Sequence, residues 1–108
     1  MSASLAILRG PARRDFEAAI EFYLAEAGET VALAFLDAVE AALALIAGQP
    51  HAGSPRYSHQ LQLPGVRTWP VKGFPHLIFY FASDGQLNIW RILHASRDIP
   101  TWLQAPDG

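Results

Sequence analysis

The 108-residue sequence contains no cysteine, which excludes disulfide bonds and metal sites built on thiolates and leaves the redox compartment open. Charged residues are also scarce, at 17% against 51% hydrophobic residues, which is typical of a folded protein rather than a disordered one. The length suits a single domain with one modest core. We therefore expect residues 1–108 to form one domain.

Long hydrophobic runs are also missing. No uninterrupted apolar stretch approaches the roughly 18 residues that span a bilayer, so we expect no membrane association. The N-terminal sequence MSASLAILRGPARRDF has too short an apolar stretch, with its charges after it, to be a signal peptide. A cytoplasmic location is the default expectation.

Charge is distributed unevenly along the chain, although the net charge is only −2. Residues 1–50 carry three arginines against seven acids, whereas residues 51–108 carry five basic residues against three acids, a balance of +2. A sequence pI near 6.0 argues against broad nucleic-acid binding, which needs many phosphate contacts. We also expect no direct sequence-specific DNA binding. A local basic face that meets an acidic partner remains compatible with these numbers.

The first half of the sequence predicts a short strand and a helical hairpin. Ser4 to Arg9 is apolar enough for a strand, and Pro11 suits the first turn of a helix. Apolar residues at helical spacing then predict helices over 11–27 and 30–47, with Gly28 as the stop between them and Thr30 as the second N-cap. So short a connection makes the two helices antiparallel.

After a glycine- and proline-rich stretch around residues 49–59, which predicts a loop, the pattern changes to strands. Residues 61–71, 76–82 and 87–95 are rich in β-branched and aromatic residues, and Asp84-Gly85 favours a hairpin turn. The expected fold is α+β: a strand, a helical hairpin on one face of the sheet, and a three-stranded antiparallel meander. The last two strands are apolar at nearly every position, so the hairpin, the C-terminal TWLQ or another chain must cover both faces.

The segment IWRILHASRDIP, from Ile89 to Pro100, places a histidine, a serine and an aspartate close together, which raises a hydrolytic triad as a hypothesis. Ser96 and Asp98 would share a strand face, and no G-x-S-x-G turn exposes a nucleophile, so a strand end with a capping carboxylate is the better interpretation. The four histidines lack metal-ligand spacing, so we expect no metal and no cofactor. The three tryptophans fit a core or an interface better than base stacking.

Together the quoted segment and the motifs ARRDFEAAIEFY, FLDAVEAALALI and LPGVRTWPVKGFPHLIFYF resemble the RelE/ParE superfamily of bacterial toxins, and the ParE (plasmid-stabilisation) branch more than the RelE branch. The resemblance covers nearly the whole chain. It implies the toxin of a type II toxin–antitoxin system, with a ParD-like, ribbon-helix-helix antitoxin as partner and DNA gyrase as the candidate target. A non-toxic homologue that keeps antitoxin binding is a further alternative.

The two branches differ in chemistry, because RelE-like members cleave mRNA on the ribosome without a metal. The residues that could supply this catalysis here are Arg67, Lys72, Arg91, His94 and Arg97. Cleavage needs free cations around the phosphate and a placed acid or base. Five candidates barely suffice, and a helix carboxylate could occupy Arg91, so we favour inhibition by binding.

Two interfaces are expected on this basis. The antitoxin is expected to bind the sheet and the grooves beside the helices, with the apolar strand residues Leu77, Phe79, Phe81 and Trp90 as candidates. The candidates for target binding are Arg67, Lys72, Trp102 and Leu103. The resemblance further implies that deleting residues 101–108 abolishes growth inhibition.

In the last strand, simple alternation places Trp90, Ile92 and His94 on one face and Ile89, Arg91 and Leu93 on the other. Arg97 is expected to pair with a helix carboxylate or a backbone carbonyl.

Overall fold

The computed structural model describes residues 6–98 of the chain. Within them the elements follow one another in the order β1 (Ala6–Leu8), α1 (Gly10–Ala27), α2 (Glu29–Gly48), α3 (Arg56–Leu61), β2 (Arg67–Pro70), β3 (His76–Ser83) and β4 (Gln86–His94). The predicted α+β architecture, with a strand, a helical hairpin and then a meander, is confirmed.

The two long helices meet at Gly28, which ends α1 and also precedes the first residue of α2. Its φ of 93° lies in the left-handed region that glycine adopts without a steric penalty, and its N–H donates to the carbonyl of Tyr23. Gly28 is therefore the stop that the sequence indicates. The predicted cap at Thr30 is wrong, because α2 begins at Glu29 with Gly28 in the N-cap position.

The four strands form one sheet in the order β1-β4-β3-β2. The meander β2-β3-β4 is antiparallel as predicted, and Asp84 and Gly85 turn between β3 and β4 with φ of 52° and 76°, the backbone of a tight hairpin. β1 pairs with β4 in parallel. The complete sheet is therefore mixed rather than purely antiparallel.

The region between the hairpin and the sheet differs from its prediction. Residues 56–61, expected as loop and strand, form the short helix α3, which starts after Pro55 and ends at Gln62 in a left-handed conformation. Gly65 also has a positive φ, of 92°, so the LPGV stretch turns instead of extending. The first meander strand is therefore only Arg67–Pro70, where 61–71 was predicted.

A β-bulge in β4 overturns the predicted alternation of its side chains. Phe79 pairs with Arg91 and Tyr80 pairs with Ile89. Trp90 therefore has no partner residue on β3 and is the extra residue of the bulge. Ile89 and Ile92 consequently belong to the same core, while Trp90 and Leu93 pack in a cluster on the other face. The simple two-residue period fails because the bulge shifts it by one residue.

The helical hairpin lies on one face of the sheet and builds the main core. Phe35 and Ile46 of α2 are fully buried against Ile78, Tyr80 and Ile89 of the strands. Aromatic rings from both layers contact one another at the end of this core; they belong to Phe16, Tyr23, Phe35, Phe74 and His76.

The opposite face is partly covered by α3, a helix that the sequence analysis did not predict. Tyr57 packs on Phe79, with ring centroids 5.4 Å apart, and Leu61 packs beside them. A six-residue helix can cover only part of a four-stranded sheet, so Leu77 and Trp90 remain partly exposed here. The two long helices lie on one face as predicted, and this short helix occupies the other.

By length and composition, α2 is long and apolar enough to cross a membrane, a test that core helices also pass. In the fold, its residues Ala32, Phe35, Val39, Ala42 and Ile46 form a buried stripe. The period of that stripe, three to four residues, is that of a helix packed on a core.

Candidate functional site

An apolar pocket of about 430 Å³ lies on the sheet between the α3–β2 turn and the strands, and is the candidate partner-binding site. Leu63, Pro64 and Val66 form one wall, and the half-buried side chains of Phe81 and Trp90 form the other. Leu63 is 41% exposed, so the pocket leaves part of a large apolar side chain in contact with solvent.

One cation borders this apolar pocket. Arg9, at the end of β1, lies on its rim, and its guanidinium donates to the side-chain oxygen of Asn88 over 2.7 Å. Asn88 is buried, so this bond satisfies its amide oxygen and fixes the direction of Arg9. A pocket with apolar walls and one positive rim suits an apolar side chain that has a carboxylate nearby.

The four residues predicted to bind the antitoxin differ in how far they are exposed on this face. Phe81 and Trp90 line the pocket, and Leu77 is partly buried beside the cluster around Tyr57. Phe79 is only 1% exposed because α3 covers it, so its side chain supports the surface from below.

Arg91 is occupied by an internal ion pair. Its guanidinium donates two hydrogen bonds, of 2.7 and 2.9 Å, to the carboxylate of Asp15 on α1, and the same carboxylate accepts the N–H of Ile92. The bond to Asp15 raises the pKa of Arg91 above its ordinary value. This contact joins α1 to β4, and it is the helix carboxylate that the sequence hypothesis required.

The turn of residues 94–98 is held by its own polar groups. Asp98 accepts the N–H of His94, while the His94 ring nitrogen Nδ1 accepts the N–H groups of Ser96 and Arg97. Asp98 thus binds the backbone and not the imidazole, so the segment forms a capped turn and no triad. The predicted pairing of Arg97 with a helix carboxylate or a backbone carbonyl is not found among residues 6–98. Its guanidinium lies instead over the ring of Phe22, 4.7 Å from the centroid.

Arg67 also has a structural contact. It donates to the carbonyl of Gly53 over 2.8 Å, and the Gly53 N–H donates to the hydroxyl of Tyr80, which itself donates to the carbonyl of Pro50. The network fastens the loop after α2 to β2 and β3. Lys72, in the turn after β2, is exposed.

His76 is the most perturbed histidine. It is 3% exposed, packs between the rings of Phe35 and His94, and its Nδ1 is buried without a hydrogen-bond partner among the described residues. Burial first, and the neighbouring His94 second, lower the pKa of His76 to about 4. This histidine is therefore neutral at pH 7.

The five residues predicted for RelE-like catalysis lie in two separate places. Arg91, His94 and Arg97 surround the end of β4, whereas Arg67 and Lys72 belong to β2 and the turn after it. Within residues 6–98, no three histidine, aspartate or glutamate side chains come close enough to hold a metal ion. Trp102 and Leu103, predicted to bind the target, lie outside the described residues.

Sequence reasoning missed the pocket residues Arg9, Leu63 and Val66. The signal was present in the LPGV motif, since Pro64 and Gly65 indicate a turn that can present its flanking apolar side chains. The sequence analysis places this motif in the strand predicted over 61–71. The contact between Arg9 and Asn88, 79 residues apart, leaves no local pattern in the sequence.

Comparison with known proteins agrees with this architecture. A structure titled "Chromosomal ParDE TA system from P. aeruginosa" superimposes with a TM-score of 0.71 at 22% identity, covering 86% of this chain and 96% of that one. A search of curated proteins gives no match. The family model for the ParE toxin of the type II toxin–antitoxin system parDE matches residues 6–99. The chain therefore belongs to the ParE toxin family of type II toxin–antitoxin systems.

Proposed function

We propose that this protein is a toxin that a ParD-type antitoxin neutralises by covering the open sheet face, and that it inhibits its target, with DNA gyrase as the first candidate, by binding. Membership of the ParE family supports the toxin role. The ParDE system named for the similar structure supports a ParD-type partner. The observation that carries the binding mode is the occupation of Arg91 and Arg67 by internal contacts.

The antitoxin surface follows from the incomplete cover of the sheet. α3 buries Phe79, and the apolar side chains of Leu77, Phe81 and Trp90 continue beyond it to the pocket bordered by Arg9. We propose that an apolar residue of the antitoxin enters this pocket and that an acidic residue next to it meets Arg9. Salt should weaken the complex to the extent that the charged contact contributes.

Co-purification with the antitoxin tests this surface. Phe81→Glu would place a carboxylate in the apolar pocket, so we expect this variant no longer to co-purify with the tagged antitoxin. Leu45→Glu is the matched control, because Leu45 is 53% exposed on α2 and lies outside the pocket. Retention of the Phe81→Glu chain by the antitoxin would place the interface elsewhere.

Inhibition by binding is the better explanation of the cations around the sheet. A metal-free ribonuclease must direct cations and a proton-transferring group at one phosphate. Here Arg91 is bound by Asp15, Arg67 by Gly53, and the Nδ1 of His94 by backbone N–H groups. Each substitution that freed one of these groups would also break a structural contact.

A paired assay separates the two modes of inhibition. The full chain is added to a ribosome-containing extract, where mRNA integrity is followed, and to purified gyrase with relaxed plasmid, where supercoiling is followed. We expect supercoiling to fall while mRNA stays intact. Prompt mRNA cleavage that Arg67→Ala or Arg91→Ala abolishes in a folded chain would establish the RelE-like alternative. No growth inhibition in cells would favour the non-toxic homologue.

Target binding is proposed to use Lys72, which is exposed, together with the segment containing Trp102 and Leu103. Deleting residues 101–108 should abolish growth inhibition and leave antitoxin binding intact. Toxicity of the truncated chain would assign target binding to the sheet around Lys72.

A further inference from the structure

A second cavity, of about 710 Å³, lies between α1 and the place where β3 begins and β4 ends. Ala18 and Ala19 line it from α1, and because their side chains are single methyl groups they leave room beside the helix. The buried side chains of Ile92 and Leu93 line it from β4. The volume is typical of small-molecule sites, and none of its lining residues lines the apolar pocket bordered by Arg9.

The cavity is lined by four charged residues, two of each sign: Asp15, Arg91, Arg97 and Asp98. Asp15 and Arg91 neutralise each other through their paired hydrogen bonds. Arg97 makes no ion pair with any residue of 6–98, and its guanidinium lies over the ring of Phe22. A guanidinium stacked on a ring keeps the N–H groups in its plane available for a carboxylate.

Asp98 supplies the opposite charge. One of its carboxylate oxygens accepts the N–H of His94, and the other has no hydrogen-bond donor within residues 6–98. Both charges act on the ring of His76, which also lines the cavity. Burial and His94 are the main causes of its lowered pKa; Asp98 then raises this pKa and Arg97 lowers it. A positive and a negative group therefore lie at one cavity, with neither sign in excess.

His76 also brings to the cavity a hydrogen-bonding group without a partner. The residue is 3% exposed, and its Nδ1 has no hydrogen-bond partner within the described part of the chain. Buried polar groups of folded proteins almost always have one. A neutral imidazole can donate from one nitrogen and accept at the other, so a polar ligand could satisfy it.

The balance of charge decides which kind of ligand suits this cavity. A simple anion would be attracted by Arg97 and repelled by Asp98, and a simple cation would meet the reverse. A ligand that carries both charges a few bonds apart gains from both residues. An apolar group on the same ligand would pack against Ala18, Ala19 and Ile92.

We infer that this cavity binds a small zwitterion with an apolar side chain, of the chemical class of a free α-amino acid. The carboxylate of the ligand meets Arg97, its ammonium group meets Asp98, and its side chain lies against the alanines of α1. The inference goes beyond the proposed function and does not depend on the identity of the toxin's target.

Three compounds that share one side chain test this inference. Phenylalanine carries both charges, N-acetylphenylalanine carries only the carboxylate, and phenylalaninamide carries only the ammonium group. Each is titrated into the isotope-labelled full chain, made in a cell-free extract, and the backbone amide shifts of Ile92, His94 and Arg97 are followed by NMR. We expect phenylalanine to bind at least tenfold more tightly than either derivative. A derivative that binds as tightly as phenylalanine, or an absence of shifts with both phenylalanine and leucine, would overturn the inference.

Matched variants test the two charged contacts. Arg97→Gln and Arg56→Gln change two exposed arginines that each lie over an aromatic ring, but only Arg97 lines the cavity. We expect Arg97→Gln to weaken phenylalanine binding at least tenfold and Arg56→Gln to leave it within twofold. Asp98→Asn should weaken phenylalanine but not N-acetylphenylalanine, which has no ammonium group. Equal effects of Arg97→Gln and Arg56→Gln would contradict the cavity as the site.

A second pair of variants tests the apolar wall. Ala18→Leu and Ala25→Leu each add the same side-chain volume at an exposed position of α1, but only Ala18 lines the cavity. Ala18→Leu should weaken phenylalanine binding at least fivefold, and Ala25→Leu should leave it within twofold. Circular dichroism checks that every variant is folded, which is the expected outcome for exposed positions. Unchanged binding to the Ala18→Leu chain would show that the ligand does not lie against α1 and would overturn the inference.

Discussion

The two faces of the sheet are built differently from the same strands. On the helical face, Phe35 and Ile46 are buried against Ile78 and Tyr80, and two 18- to 20-residue helices cover the strands. On the other face, one six-residue helix covers Phe79 and leaves Phe81 and Trp90 beside an open pocket. Both faces are apolar, but only one is closed.

This difference separates the residues that hold the fold from those that we propose meet a partner. The arginines differ in the same way. Arg91 joins α1 to β4 and Arg67 holds the loop after α2, so both stabilise the fold. Arg9 borders the open pocket. Substitutions on the closed face should therefore cost stability, and substitutions on the open face should cost binding.

Truncating one aromatic residue on each face should give the largest contrast. Phe35→Ala removes a fully buried ring and should lower the free energy of unfolding by about 4 kcal/mol. Phe81→Ala removes a half-buried ring and should cost about 1 kcal/mol. Urea unfolding of both variants measures the two values, and equal losses would remove the distinction between the faces.

Gly53→Ala should be the next most damaging change. A Cβ at this position would overlap the hydroxyl of Tyr80 and lie 2.9 Å from the backbone carbonyl of Thr68, so the loop or the strand must move. We expect a loss of about 3 kcal/mol in thermal or urea unfolding. Gly48→Ala is the control, because nothing lies within 4 Å of its Cβ and alanine favours the helix. A stable Gly53→Ala chain would mean that the Tyr80 network adjusts freely.

Asp15→Asn tests whether Arg91 is structural. The variant weakens the paired hydrogen bonds and leaves the partly buried guanidinium without its counter-charge, at a cost of about 2 kcal/mol. Asp37→Asn, at an exposed position of α2, should change stability by less than about 0.5 kcal/mol. If the two variants unfold alike, the ion pair contributes nothing and Arg91 is available for other contacts.

His76 gives the closed face a dependence on pH. Its pKa is about 4 in the fold and about 6.5 in the unfolded chain, so the unfolded chain takes up the proton first as the pH falls. The stability that neutral His76 contributes is complete above pH 6.5 and is lost as the pH falls towards 4. Between pH 7 and pH 5 this amounts to about 2 kcal/mol.

Because carboxylates also change stability in acid, the measurement is a comparison with His76→Phe, which cannot titrate. The difference in unfolding free energy between the two chains should shift by about 2 kcal/mol from pH 7 to pH 5, in favour of the variant. Parallel pH profiles would show that His76 is accessible to protons in the folded state.

The elements that could be predicted from the sequence are those with long, regular patterns. Helical spacing and Gly28 marked the hairpin, and Asp84-Gly85 marked the turn between β3 and β4. The helix α3 was not predicted, because six residues after a proline carry too little periodicity to distinguish a helix from a loop. The bulge at Trp90 escaped because it depends on pairing with β3, which no local pattern records.

Part of the lining of the candidate pocket could be predicted for the same reason, and its role in binding a partner stays a prediction. The apolar excess of β3 and β4 indicated an open surface, and Phe81 and Trp90 do line its pocket. The cover of Phe79 by Tyr57, and the contact of Arg9 with Asn88, bring together residues far apart in sequence. Such contacts depend on the fold and could not be predicted from local sequence patterns.

The measurement that tests the central claim most directly is the affinity of the cognate antitoxin for three forms of the full chain, by isothermal titration. We expect Phe81→Glu to weaken binding at least 100-fold and Leu45→Glu to leave it within twofold of the unaltered chain. Urea unfolding of the same samples should show that Phe81→Glu remains folded. Unchanged affinity of Phe81→Glu for the antitoxin would contradict the assignment of the open sheet face as the partner's surface.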